Sequence, residues 1–133
     1  MPKKYYEYFN PNPEPGTGIY TKGDCSIRAC CVATGKSWLE VFDDLTAMAR
    51  KTFNITGETK TVAGYIESEG FTPYKVTVKK GSKRPTMKSL IKENPGKIIV
   101  GLCAHHFMCA RGGKVLDVWD SSERPLYKYW MKG

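Results

Sequence analysis

The stretch from Lys22 to Cys31, KGDCSIRACC, holds three of the five cysteines in this 133-residue chain. Only Cys25 comes directly after a Gly-Asp turn, at the start of a run of helix-forming residues. An ordinary thiol, with a pKa of about 8.5, is mostly protonated at neutral pH, and a helix N-terminus lowers that pKa. Cys25 is therefore the candidate nucleophile. The other cysteines lack such polar neighbours and are expected in the core: Cys30, Cys31, Cys103 and Cys109.

Histidines and carboxylates that could complete a thiol site lie in the C-terminal third, in KIIVGLCAHHFMCARGGKVLDVWD. Its Gly112-Gly113 pair predicts a two-residue hairpin loop, because both positions of such a loop need φ > 0. Side chains alternate across a strand, so each face of the hairpin would carry one pair within reach of contact. The two pairs are His106 diagonal to Asp117, and His105 opposite Asp120. We expect the second face to be the core face, since it is the more apolar.

Either pair has the parts that a thiol nucleophile needs. An imidazole next to the thiol takes its proton, and a carboxylate holds the ring in the correct tautomer. A metal site formed by CAHHFMC with Cys25 is disfavoured, because a strand spreads these residues over roughly 20 Å. The sequence therefore predicts no metal and no cofactor.

The elements that must position these residues follow from capping signals and periodicity. Gly35 ends the first helix, and SWLE is a capping box in which Ser37 and Glu40 satisfy each other's backbone N–H groups. FTPYKVTV is strand-like. The predicted helices run from Cys25 to about Thr34, from Ser37 to about Lys51, from about Lys60 to Ser68, and from Thr86 to Lys92. The prediction is one α+β domain over residues 1–133, with helices first and an antiparallel sheet last. Residues 1–18 would form an extended arm or loop.

Composition limits the compartment and the partners. No apolar run reaches the roughly 20 residues of a membrane helix, and an odd cysteine count disfavours a disulfide framework. We therefore expect a soluble, cytoplasmic protein with no membrane partner. The net charge of +8 favours acidic partners. However, Gly and Pro interrupt the one dense basic cluster, from Lys79 to Arg84, so a solvated loop is favoured over a nucleic-acid site. The oligomeric state stays open.

Three sequence blocks resemble known enzymes. GDCSIRA is similar to the cysteine block of ovarian-tumour-type deubiquitinases, in which Arg and Ala follow the cysteine as Arg28 and Ala29 follow Cys25. DVWD resembles the papain block in which the orienting residue precedes a Trp by two, as Asp117 precedes Trp119. The run that starts at His106 resembles the strand that begins with the papain histidine. In order and spacing, residues 20 to 130 resemble small papain-like proteins of bacteriophages and bacteria.

The resemblance implies a papain-like cysteine peptidase or isopeptidase that acts on a protein or peptide. It favours Cys25, His106 and Asp117 as the catalytic set, because the face with His106 carries the Asp-x-Trp pattern. His105 and Asp120 remain the alternative pair. The supporting roles are as follows: Trp119 would cover the His–Asp hydrogen bond, Arg28 would pair with a local carboxylate, and Thr21 or Asp24 would add to the Cys25 backbone N–H as oxyanion donors.

The chain also departs from these families. Ile19 stands where papain-type enzymes have the oxyanion-hole glutamine, and Lys22 stands where the ovarian-tumour block has Asp. A second hypothesis therefore keeps the fold without efficient catalysis. In it, the protein is a basic binding protein or an inhibitor of a host factor, encoded by a phage and present in the host cytoplasm.

Overall fold

A computed structural model describes residues 3–14 and 23–133. Within these ranges the chain forms four helices and one six-stranded sheet, which confirms the α+β class. The helices are α1 (Cys25–Thr34), α2 (Trp38–Thr52), α3 (Thr59–Ser68) and α4 (Met87–Glu93). The strands are β1 (Tyr6–Tyr8), β2 (Thr72–Lys75), β3 (Ile98–Cys103), β4 (His106–Arg111), β5 (Lys114–Asp117) and β6 (Lys128–Lys132).

The helix predictions are confirmed to within two residues, because their stop and start signals are local. Gly35 ends α1 in the left-handed conformation, with φ 76°. The Ser37 hydroxyl accepts from the Glu40 backbone N–H at 3.2 Å, and the Glu40 carboxylate accepts from the Ser37 N–H at 3.2 Å. This capping box fixes where α2 begins, directly after α1.

The sheet differs from the antiparallel C-terminal sheet that the sequence predicts. Its strand order is β1-β5-β4-β3-β6-β2, and β1 pairs with β5 in parallel. The predicted arm is therefore wrong over Tyr6–Tyr8, which is an edge strand. Val115 donates its backbone N–H to the Tyr5 carbonyl at 2.9 Å, and Phe9 donates to the Asp117 carbonyl at 2.9 Å. The later part of the predicted arm, residues 15–18, lies outside the described residues.

The predicted hairpin forms between β4 and β5. Gly112 and Gly113 have φ values of 64° and 79°, and Arg111 faces Lys114 as expected. The prediction fails at the other end of β4. His105 lies in the turn that joins β3 to β4, with φ 54°, instead of on the strand.

The predicted contact of His105 with Asp120 is consequently wrong. A residue in the turn no longer alternates in the strand register, so it does not face the partner that a continued strand would give it. Asp120 instead accepts hydrogen bonds from the Ser122 hydroxyl at 2.5 Å and from the Lys3 ammonium at 3.1 Å.

The face that was expected to be the core face is buried, and the opposite face of the sheet is covered as well. Phe107 and Cys109 belong to the core cluster under α1, α2 and α3. Their neighbours on β4, Met108 and Ala110, pack on the opposite face in a second cluster with α4 and Leu126. No helix in the described part of the chain has both the length and the apolar character to cross a membrane.

Candidate functional site

Cys25 is the first residue of α1 and is half-buried. Its sulfur is within hydrogen-bonding reach of the His106 ring and of the Phe107 backbone N–H. Burial raises the pKa of the Cys25 thiol, but these two hydrogen bonds and the charges of His106 and Arg28 outweigh it. The net pKa of Cys25 therefore lies below its ordinary value, and the thiolate is favoured.

His106 opens β4 and is 8% exposed. Its Nε2 lies 2.7 Å from Oδ2 of Asp117, which leaves Nδ1 as the ring nitrogen available to Cys25. Burial lowers the pKa of His106, but the hydrogen bonds to Asp117 and Cys25 and their negative charges raise it to about 9. These opposite shifts favour a thiolate–imidazolium pair over a neutral thiol and a neutral imidazole.

Asp117 ends β5 and is 3% exposed. Both of its carboxylate oxygens are occupied. Oδ1 accepts from the Arg28 guanidinium at 2.5 Å and from the Val118 backbone N–H at 2.7 Å. Oδ2 accepts from the Ser121 hydroxyl at 3.3 Å in addition to facing His106. With this many donors, the carboxylate is fixed in position and can hold the orientation of the imidazole.

Arg28 connects the two acidic residues of the site. Its Nε donates to Asp24 at 2.8 Å, so one buried guanidinium bonds to both Asp24 and Asp117. Asp24 also accepts from Asn12 and from the Trp38 indole, each at 2.9 Å. The Asp24 side chain therefore connects the start of α1 to Asn12 and to the first residue of α2.

An oxyanion could be bound at the start of α1, where the first backbone N–H groups have no partner within the helix. The Cys25 N–H belongs to this group. The Asp24 carboxylate has no proton to donate at neutral pH, because hydrogen bonds from Trp38, Asn12 and Arg28 more than offset the effect of burial and lower its pKa. Thr21 lies outside the described residues.

Trp119 packs on His106, with ring centroids 4.8 Å apart and an angle of 44° between the planes. The indole is 37% exposed, whereas the imidazole on which it packs is buried. The resemblance predicts that Trp119 covers the His–Asp hydrogen bond, and the structure shows its contact with the histidine of that bond. Ser121, Asn12 and Trp38 complete the hydrogen-bond network. None of the three could be predicted from the sequence, because no spacing rule links them to the site.

A cleft of about 460 Å³ opens at the sulfur. Cys25, His106 and Phe107 line it, together with residues at and just before the start of α3: Ile55, Gly57, Glu58 and Thr59. His105 also lines this cleft, although it is not paired with a carboxylate there. A chain segment could therefore reach the Cys25 sulfur from solvent.

The remaining cysteines differ from Cys25. Burial raises the pKa of Cys31 to about 11, and it also raises the pKa values of Cys30, Cys103 and Cys109. Among residues 3–14 and 23–133, no three His, Cys, Asp or Glu side chains are grouped so that they could hold a metal ion. Cys25 is thus the one described cysteine whose surroundings favour the thiolate.

The chain was compared with protein-family models, with curated proteins and with solved structures, and none of them matches it.

Proposed function

We propose that this protein is a papain-like cysteine peptidase or isopeptidase, a hydrolase that transfers an acyl group through a thiol. The observation that carries the proposal is the continuous chain of contacts from Cys25 through His106 to Asp117. A helix N-terminus at the thiol, a buried carboxylate behind the imidazole and an open cleft at the sulfur complete the arrangement.

The reaction would proceed by acyl transfer. The Cys25 thiolate attacks the substrate carbonyl carbon, a C–S bond forms, and the carbonyl oxygen becomes an oxyanion near the Cys25 N–H. His106 gives its Nδ1 proton to the leaving nitrogen as the C–N bond breaks. Water then attacks the thioester and gives a proton to His106, and the C–S bond breaks. The products are an amine and a carboxylic acid, and the thiolate–imidazolium pair is restored.

The pH range of the reaction follows from the two pKa values. Cys25 must be deprotonated and His106 protonated at the start of the cycle. The active pair would therefore be populated from the lowered pKa of Cys25 up to a pH of about 9, where His106 loses its proton. Activity should fall in alkali, as the general acid is lost, and in acid, as the thiolate is protonated.

The first test is the pH dependence of iodoacetamide labelling at each cysteine, read by mass spectrometry. We expect fast labelling of Cys25 that persists below pH 7. In His106→Gln the rate near neutral pH should fall at least about tenfold, because each pKa unit changes the thiolate fraction tenfold. His105→Gln is the matched control and should label like the wild type. Ordinary labelling of Cys25, or equal effects of the two variants, would contradict the assignment.

The second test is hydrolysis itself. A mixture of denatured proteins is incubated with wild type or with Cys25→Ala, and new N-termini are identified by mass spectrometry. We expect new termini with wild type and none above background with Cys25→Ala. A thiolate pair without any new termini would favour a papain-like scaffold that binds a partner without cleaving it.

A further inference from the structure

A second cleft, of about 320 Å³, has Trp119 in its wall, and the same Trp119 ring packs on His106. It is lined by Cys103, Ala104, Trp119, Arg124, Pro125 and Tyr127. Trp119 therefore has two roles in the geometry. One part of its ring packs on His106, and the ring also forms a wall of this neighbouring space.

Two guanidinium groups lie on the aromatic walls of this cleft. The Arg124 carbon Cζ is 5.5 Å from the centre of the Trp119 ring, and the Arg84 Cζ is 4.5 Å from the centre of the Tyr127 ring. Cation–π contacts of this kind hold the planar groups over the rings while leaving their N–H donors free for another partner.

Neither arginine is neutralised within residues 3–14 and 23–133, where no carboxylate lies within 4 Å of either guanidinium. The remaining residues, 1–2 and 15–22, contain no Asp or Glu. The acids nearest to Arg124 in sequence are bonded elsewhere. Asp120 pairs with Lys3 at 3.1 Å, and Glu123 pairs with Lys88 at 3.4 Å. The cleft therefore carries uncompensated positive charge.

The backbone on both sides of the cleft is fixed. Leu126 donates its N–H to the Pro85 carbonyl at 2.9 Å, which joins the segments that carry Arg124 and Arg84. Tyr127 donates to the Leu102 carbonyl at 2.8 Å, which attaches the same loop to β3. Leu126 itself is fully buried. Both arginines are thus attached to backbone that these hydrogen bonds hold in position, so the backbone need not rearrange when an anion binds.

We propose that this cleft binds a carboxylate in the leaving group of the substrate, so that the enzyme prefers an acidic residue shortly after the scissile bond. The inference rests on the proposed function. In the proposed reaction His106 protonates the leaving nitrogen, so the chain that follows this nitrogen continues on the His106 side. Trp119 and then Arg124 are the next groups in that direction.

The spacing suits a residue close to the cleaved bond. The ring centroids of His106 and Trp119 are 4.8 Å apart, and the Arg124 Cζ atom is 5.5 Å from the centre of the Trp119 ring. An extended chain advances about 3.3 Å per residue, so these contacts span at most about three residues. A carboxylate side chain on one of these residues can form charge-assisted hydrogen bonds to an arginine fork.

The test uses two acyl-transfer probes that do not require peptide hydrolysis. They are the S-acetyl thioesters of mercaptobenzoate and of mercaptobenzamide, which differ in leaving-group charge. Transfer of acetyl to Cys25 is followed by mass spectrometry and by release of the aryl thiol, with Cys25→Ala as the blank. In wild type we expect the carboxylate probe to react faster than the amide probe. Arg124→Gln should reduce this ratio by about fivefold, the size of one partly exposed ion pair.

The matched control is Arg50→Gln, an exposed arginine in the last turn of α2 that removes the same net charge at a distance. Its ratio should equal that of wild type, and Arg124→Glu should favour the amide probe. An unchanged ratio in Arg124→Gln, or equal losses in Arg50→Gln, would overturn the proposal. If the proposed function fails, both probes should instead transfer acetyl to Cys25 at the rate of an ordinary thiol. The ratio of the rates with the carboxylate and amide probes would still report on Arg124.

Discussion

At the scale of single residues, the charge balance of the site depends on Arg28. Its guanidinium is 6% exposed and bonds to two buried carboxylates, those of Asp24 and Asp117. Burial lowers the pKa of Arg28, but its bonds to Asp24 and the charge of Asp117 outweigh this and raise it, so it stays charged. Removing one partner of such a buried group leaves the others uncompensated in a medium of low dielectric.

Arg28→Gln should therefore lower the free energy of unfolding by about 3–5 kcal/mol, the usual cost of breaking a buried ion pair from one side. Urea unfolding at neutral pH measures it. Arg50→Gln, at an exposed position, should change the same quantity by less than about 0.5 kcal/mol. If Arg28→Gln unfolds at the same urea concentration as the wild type, the guanidinium is not what holds the two carboxylates.

The sequence could predict the residues whose chemistry is tied to a local pattern. Cys25 stands at a turn before a helix, and the glycine pair of the hairpin fixes the register that brings His106 near Asp117. Ser121, Asn12 and Trp38 reach the site through loops or from other elements, and their residue types occur on any surface. Residue type and spacing therefore identify the reacting groups, whereas their supporting partners depend on the folded chain.

At the scale of elements, β3 shows how closely the sheet and its covering loop fit. Gly101 lies in this central strand, and a Cβ atom there would stand 2.9 Å from Leu126 Cδ2 and 3.1 Å from Met87 Sδ. Both neighbours are fully buried and cannot move into solvent. The absence of a side chain at Gly101 lets the loop that carries Leu126 pack directly on the sheet.

Gly101→Ala should consequently lower stability by about 1–3 kcal/mol, the range found when one methyl group is forced into a packed core. Thermal unfolding followed by circular dichroism measures the change. Gly64→Ala is the matched control in the interior of α3, where the added Cβ would meet Met48 Sδ at an ordinary 3.6 Å. It should raise stability by about 0.5–1 kcal/mol, because alanine favours helix more than glycine does. The same sign for both variants would contradict this packing.

The elements that were missed share one property, which is pairing over a long sequence distance. β1 is three residues long and joins β5, more than 100 residues later in the chain. β6 inserts between β3 and β2, and both of these partners lie more than 20 residues before it in the chain. Helices with a capping box or a terminal glycine were predictable because those signals are local. The Ala104-His105 turn was not, because it contains none of the residues that favour a hairpin loop.

At the scale of the whole molecule, the site affects how the free energy of unfolding depends on pH. The effect follows from the number of protons that the folded and unfolded states bind. In the unfolded chain Cys25 keeps its proton up to about pH 9.0, and His106 loses its proton above about pH 6.5. In the folded protein the order is reversed, because the thiolate and the imidazolium stabilise each other. At a pH where the folded protein holds the thiolate–imidazolium pair, the folded and unfolded states each carry one proton on Cys25 and His106 together. The pair therefore gives the free energy of unfolding no dependence on pH.

Cys25→Ala removes this cancellation. In the folded variant, Asp117 still raises the pKa of His106. In the unfolded variant, residue 25 is alanine, so the proton that Cys25 carries in the unfolded wild type is absent. The folded state then binds more protons, and a group with a raised folded pKa loses its stabilising effect as the pH rises through that pKa. Above about pH 6.5, the ordinary pKa of His106, the variant should lose stability relative to wild type as the pH rises, by up to about 1.4 kcal/mol per pH unit. Urea unfolding of both proteins at several pH values measures the difference, in which the shared groups cancel. Parallel curves would contradict the raised pKa of His106, because a neutral imidazole binds no additional proton on folding.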